Sequence, residues 1–321
     1  MTPEVGTTVF ERYLLERAVV GDTHGAAFEA WDDRLDQRVI VRFLRGAYFT
    51  DERAAANLLR LERSRAYVHP NIARLLEVFR GPEGPVAVSQ FIEGPTLRAW
   101  RTSGHGSTLG QIADTMRQMV AGCRWIHQIA PLGNLSPDSV IVNSARIVLR
   151  APYFFIGQEL EEDPQWTAPE QRATPTVELK QSDVHALGSL LGFLLAGRTV
   201  RPSVSLIAQG LPVSNGLDRA YLAATSPEPS LRPAGVEAFW KSVEHGLADA
   251  ATWWPQGDEE VGAGAFAEDT QMDFGLPDFI DPRPGASVHT GGPARDTTEV
   301  EVITLDAEDL VRIDDTSTSE I

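Results

Sequence analysis

The sequence predicts an α+β fold from three features: alternating apolar residues up to about residue 92, three-to-four-residue apolar spacing from Ser107 onward, and a Gly/Pro/acidic texture after Trp253-Trp254-Pro255. At 321 residues and 42% apolar composition the chain can bury a sizeable core. Residues 10–92 are read as a small strand-rich lobe, 93–248 as a larger helical lobe, and 249–321 as an acidic, largely disordered tail.

In the first lobe, Arg38-Val39-Ile40-Val41-Arg42-Phe43-Leu44 and Val86-Ala87-Val88-Ser89-Gln90-Phe91 are β-branched or apolar runs of strand length. Between them, residues 51–66 set Ala54, Leu58, Leu59 and Leu61 among Arg and Glu. That helix is closed at His69-Pro70-Asn71-Ile72, because Pro70 has no N–H to continue it. From Ser107, the residues Leu109, Ile112, Met116, Met119, Val120, Cys123 and Ile126 mark one face of a long helix capped by Ser107 or Thr108. Residues 139–142 and 146–149 read as a hairpin about the turn Asn143-Ser144-Ala145. Helices are expected near 183–195, 217–225 and 234–247. The first of these is apolar nearly all round, so it is the expected buried axis.

Charge narrows the partners. Residues 249–321 hold 18 acidic against three basic residues, a net −15, which leaves −2 on residues 1–248 of a chain whose total is −17. Such a tail repels phosphates, so neither nucleic acid nor an anionic membrane is an expected partner. No run reaches the roughly 18 apolar residues of a membrane span. The start Met1-Thr2-Pro3-Glu4 lacks a basic n-region before an apolar stretch, so a cytoplasmic protein is expected. The single Cys123 is read as a buried structural thiol in a reducing compartment. His24, His105, His127, His185 and His289 have no metal-site spacing and are read as surface or capping residues.

Five motifs in order carry a family resemblance: His69-Pro70-Asn71-Ile72, Phe91-Ile92-Glu93-Gly94-Pro95-Thr96-Leu97, Ala168-Pro169-Glu170, Ser182-Asp183-Val184-His185-Ala186-Leu187-Gly188 and Leu231-Arg232-Pro233. Together they resemble the bacterial Ser/Thr protein kinase superfamily over residues 10–248. The resemblance implies a bilobal protein kinase-like fold. It also implies a buried Glu170–Arg232 ion pair, and an Asp183 that caps its helix and holds the catalytic loop from below.

The resemblance fails at the positions that carry chemistry. Kinases need a carboxylate to orient the acceptor hydroxyl, a loop lysine, two metal-binding side chains and a glycine cradle. Aligned through Leu135 and Pro137, those places fall on Asn134, Ser136 and Ser139, and the principal metal ligand falls at Leu149, within Leu149-Arg150-Ala151-Pro152. An amide such as Asn134 cannot accept a proton near neutral pH. The glycine positions fall on Val20, Asp22 and Gly25, while Ile40 and Arg42 stand for the small residue and the lysine of the third strand. Arg60 stands where the partner glutamate of that lysine would be, with Glu62 as the nearby substitute.

A degenerate member, a pseudokinase, is therefore expected. Its nucleotide cleft would be lined by Val20, Asp22, Gly25, Ile40, Arg42, Ser89 and Ile141, with no carboxylate to hold a divalent ion. No metal and no cofactor are expected; the alternatives are metal-independent ATP binding through Arg42 and Arg150, or weak kinase activity. The expected partner is a protein, an active Ser/Thr kinase or a phosphothreonine-reading domain. In the tail, Thr270, Thr297, Thr298, Thr316 and Thr318 lie beside acids, and Thr297 and Thr298 are the candidate phosphoacceptors. The alternating Val300-Glu301-Val302-Ile303-Thr304-Leu305 reads either as a strand that adds to a sheet edge or as a solvated segment.

Overall fold

The computed structural model describes residues 4–19, 25–44, 59, 61–66, 68–81, 84–128, 131–133, 135–150, 165–173 and 179–250. The tail, with Thr297, Thr298 and Val300-Leu305, lies outside the described residues, as do Val20, Asp22, Asn134 and most of the helix expected over 51–66.

Strands β1 (Thr8–Val9), β2 (Tyr13–Ala18), β3 (Gly25–Asp32), β4 (Gln37–Leu44), β5 (Leu75–Gly81) and β6 (Gly84–Gln90) form one antiparallel sheet in the order β1-β2-β3-β4-β6-β5. Its pleat sorts the side chains. Tyr13, Leu15, Phe28, Ala30, Val39, Val41, Val86 and Val88 make the core of one face. On the other face two cross-strand rows run parallel: Arg17, Glu29, Ile40 and Ser89 in one, and Ala27, Arg42 and Ala87 in the next.

A buried ionic staple fixes the start of this sheet. The Arg12 guanidinium grips both carboxylate oxygens of fully buried Asp32, at 2.7 and 2.8 Å, and reaches Glu77 at 2.6 Å. Asp32 also accepts the N–H groups of Arg34 and Leu35, closing the β3–β4 turn. These hydrogen bonds outweigh the burial of Asp32 and hold its carboxyl below the usual range.

The helical part begins with α1 (Leu97–Thr102), capped by Thr96, and α2 (Leu109–Ile126). The capping box of α2 joins Thr108 and Gln111, which settles the cap on Thr108. Hairpin strands β7 (Val140–Asn143) and β8 (Arg146–Leu149) pair with Asn143 opposite Arg146, so the turn is Ser144-Ala145 alone, with Ser144 at φ +53°. Then follow α3 (Pro169–Ala173), α4 (Lys180–Ala196), α5 (Asn215–Ala224) and α6 (Val236–Ala250). Every residue of α4 from Ser182 to Leu195 is buried, as an all-round apolar helix requires, and it packs with α2, α5 and α6 in one core.

Candidate functional site

The strand-rich and helical parts meet at residues 91–96. Gly94, at φ +138°, lies so close to β7 that an added Cβ would fall 2.2 Å from the Val142 carbonyl oxygen, so only glycine fits there. The Val142 N–H donates to Pro95 O at 2.9 Å and the Asn143 side-chain amide to Glu93 O at 2.7 Å. The linker is thus pinned to the hairpin. Beside it opens a cleft of about 190 Å³, roofed by Ile40, Arg42 and Ser89 and floored by Ile141 and Arg150. The structure thus brings together Ile40, Arg42, Ser89 and Ile141 of the expected lining, with Arg150 beside them, and Gly25 opens β3 opposite Leu44 at the end of the same sheet.

The loop before the hairpin hangs from one carboxylate. Asp183 accepts the N–H of Leu132 at 2.6 Å, the N–H of Gly133 at 2.7 Å and Nε2 of His127 at 2.7 Å. Gln171 donates to Gly133 O from below. The helix-capping role expected of Asp183 is corrected: α4 starts three residues earlier, its N-cap is Leu179, and Asp183 is spent on the loop. Within the loop, Ser139 Oγ accepts the Ser136 N–H and donates to Ser136 O, both at 2.9 Å. Asp138 binds Arg98 at 2.7 Å.

Two expectations about the cleft are corrected. The degenerate metal position at Leu149 does not face it: Leu149 is fully buried, its side chain fills the space over Gly122, and its N–H and C=O bond Asn71 and Ala73. Strand alternation turns the next side chain, Arg150, to the cleft. The cleft also holds a carboxylate that the expected lining did not include. Glu29 lies on the roof beside Ile40 and is ion-paired with Arg17. The signal was in the sequence, since Ala27 and Glu29 share a strand face with Gly25. Glu62 is paired with Arg65 at 3.5 Å.

Behind the site, Arg232 binds both oxygens of Glu170, at 2.6 and 2.8 Å, and three backbone carbonyls. Burial opposes the Glu170 charge, but the bonds from Arg232 and Ser182 outweigh it and lower the carboxyl pKa. Of the histidines read as surface or capping residues, His127 is the C-cap of α2, and it is buried against Asp183. His185 is neither. His185 is 1% exposed, and burial, with Arg232 and Arg172 nearby, lowers it to about 4. Cys123 is buried, and desolvation raises its thiol well above the ordinary value.

No family model matches the chain. It is similar to the serine/threonine-protein kinase Pkn3 of Myxococcus xanthus, 22% identical over 273 residues that cover 73% of this chain and 50% of that protein. It is also similar to the serine/threonine-protein kinase PrkC of Bacillus subtilis, 24% identical over 207 residues, 60% of this chain and 32% of that one. The chain therefore spans half or less of the length of these relatives. Among solved structures it is similar to the kinase domain of Mycobacterium tuberculosis PknI, with TM-score 0.62 and 18% identity over 76% of this chain and 99% of that one. The fold is that of bacterial-type protein kinases: α+β, with a curled antiparallel sheet followed by helices.

Proposed function

We propose that this kinase-like chain does not transfer phosphate and acts as a signalling scaffold or allosteric partner of another protein, an active Ser/Thr kinase or a phosphothreonine-reading domain. The observation that carries the reading is the cleft floor. Among the described residues it presents Ile141 and Arg150 to the cleft and no carboxylate. The adjoining Ser139 hydroxyl is committed to Ser136, and Asp138 to Arg98. A divalent ion holding a polyphosphate needs oxygen ligands on that side, and a guanidinium there repels it. Among the described residues the one carboxylate at the cleft, Glu29, belongs to the sheet and already answers Arg17. Asn134 in the sequence adds a missing proton acceptor. Absence of base and metal ligands removes separate contributions, each commonly worth about 10²-fold or more in rate.

The test is incubation of the purified chain with labelled ATP, Mg²⁺ or Mn²⁺ and a generic protein substrate. No incorporation above a heat-denatured sample is expected. Incorporation that Asn134→Ala abolishes sinks the proposal.

One observation favours a second reading, metal-independent nucleotide binding: Arg42 and Arg150 face one cleft from roof and floor. A ligand at a hundred times its Kd stabilises its protein by about 2.7 kcal/mol. On this reading ATP in EDTA raises the melting temperature and Arg150→Ala cancels the rise. The tail proposal, phosphorylation at Thr297 and Thr298, is tested by mass spectrometry of the native protein after treatment with an active Ser/Thr kinase.

A further inference from the structure

A second cavity, sharing no lining residue with the cleft, opens beside the loop that follows α4. It is an open trough of about 620 Å³, lined by Gln165, Arg198, Thr199, Arg201 and Gln209 among others, and among the described residues none that lines it is acidic. That is notable in a chain with 45 acidic and 28 basic residues. Both arginines are exposed, and their guanidinium groups meet no carboxylate among the described residues. Arg198 reaches only two backbone carbonyls, at 3.3 and 3.4 Å.

The loop that carries them is held rigid by neutral groups. Gln209 accepts the Arg201 N–H at 2.8 Å and donates to the carbonyls of Arg201 and Val204. Tyr221 donates its hydroxyl to Arg201 O at 2.7 Å. The Ser203 N–H is bound by Thr225. Nor are the arginines needed to answer the negative end of α4, because Arg101 already donates to Leu194 O at 2.8 Å and packs over Gly197. The backbone that carries both arginines is therefore fixed, while among the described residues neither guanidinium is paired with a carboxylate.

We infer that this trough is a docking site for a phosphorylated, acidic peptide segment of a partner protein. An exposed arginine gains little from one carboxylate, because water and salt screen the pair. A phosphate dianion offers three acceptor oxygens to the arginine forks and makes stronger, charge-assisted bonds. The open side of the trough suits a chain passing across it rather than an enclosed small molecule. The inference goes beyond the proposed loss of catalysis and stands whether or not the cleft is active.

The test is fluorescence anisotropy on the full chain with a labelled peptide library that fixes a phosphothreonine among Asp and Glu. A sister library carries unmodified threonine. Binding of the first library, tighter by about tenfold or more than the second and weakened by salt, is expected. The double variant Arg198→Ala/Arg201→Ala should lose about tenfold or more while keeping the wild-type unfolding midpoint, and Arg42→Ala should bind as wild type. Equal binding of the two libraries, undiminished binding by the double variant, loss with Arg42→Ala instead, or full competition by equimolar inorganic phosphate would each overturn the inference.

Discussion

Removing the carboxylate of Glu170 tests how the helical part is held together. The Arg232 side chain is 0% exposed and Glu170 15%, so deleting the acid strands a cation that water cannot reach. Breaking one side of such a buried pair costs about 3–5 kcal/mol. Three carbonyls, of Ser226, Gln181 and Pro227, continue to share the guanidinium charge and place Glu170→Ala near the lower figure. Glu170→Gln keeps one acceptor and should lose less.

The converse change, Arg232→Met, leaves Glu170 with its Ser182 bond and access to water, and so costs less than Glu170→Ala. Urea unfolding at neutral pH measures both. With slopes of about 1–3 kcal/mol per molar, a loss of about 3 kcal/mol in Glu170→Ala should lower the midpoint by roughly 1–3 M. The double variant should be less destabilised than the sum of the two single changes. A loss below about 1 kcal/mol for Glu170→Ala, or strict additivity, would refute the assignment of this pair as a structural lock.

Acid should unfold the protein partly through His185. Its folded value of about 4 lies below the ordinary 6.5, so as pH falls from 6.5 towards 4 the unfolded chain takes up the proton first. Stability is therefore intact above that window and declines within it, by about 3 kcal/mol at the full effect. Glu170, depressed when folded, adds a loss at lower pH, as pH falls below its unfolded value. His185→Leu should flatten the slope between pH 6.5 and 4 in urea titrations at several pH values. Asp183→Ala strands the Leu132 and Gly133 N–H groups and His127, so it should cost about 4 kcal/mol by chemical denaturation, at 1–3 per unsatisfied group. Gly94→Ala sets a Cβ against Val142 O at positive φ and should destabilise by more than about 1 kcal/mol in the same assay. Native Cys123 should resist a thiol reagent until denaturant is added, since both its access and its thiolate are suppressed.

What the sequence disclosed was whatever repeats with a period. The cap and apolar stripe of α2, the all-round apolar α4 and the runs of β4 and β6 are local patterns, and the structure places each within a few residues of its expected position. Phase was harder. Choosing Leu149 over Arg150 is a slip of one residue, and in a strand one residue exchanges core for cleft. The expected start of α4 was three residues late, which made Asp183 look like a cap. The Arg12–Asp32–Glu77 staple had no local signature at all, because its members lie 20 and 65 residues from Arg12 and are ordinary surface types. The same holds for Arg198 and Arg201, whose significance lies in their meeting in one trough with no acid beside them among the described residues.

The hydrogen bonds that hold the cleft floor explain how catalytic side chains can vary without loss of the fold. The floor is positioned by main chain: Arg150 N–H to Ser139 O, Leu149 N–H to Asn71 O, Ala73 N–H to Leu149 O, and the β7–β8 ladder. None of those bonds asks what side chain stands at 139 or 150, and a side chain that points into a cleft contributes little packing. Asp183, Glu170 and Arg232 are different, since each is spent satisfying buried donors or acceptors whose desolvation any substitution would expose. Selection for folding alone therefore holds the second group and leaves the first free. On the proposed reading, a chain required to present a kinase-shaped surface but not to transfer phosphate would keep the second group and be free to vary the first.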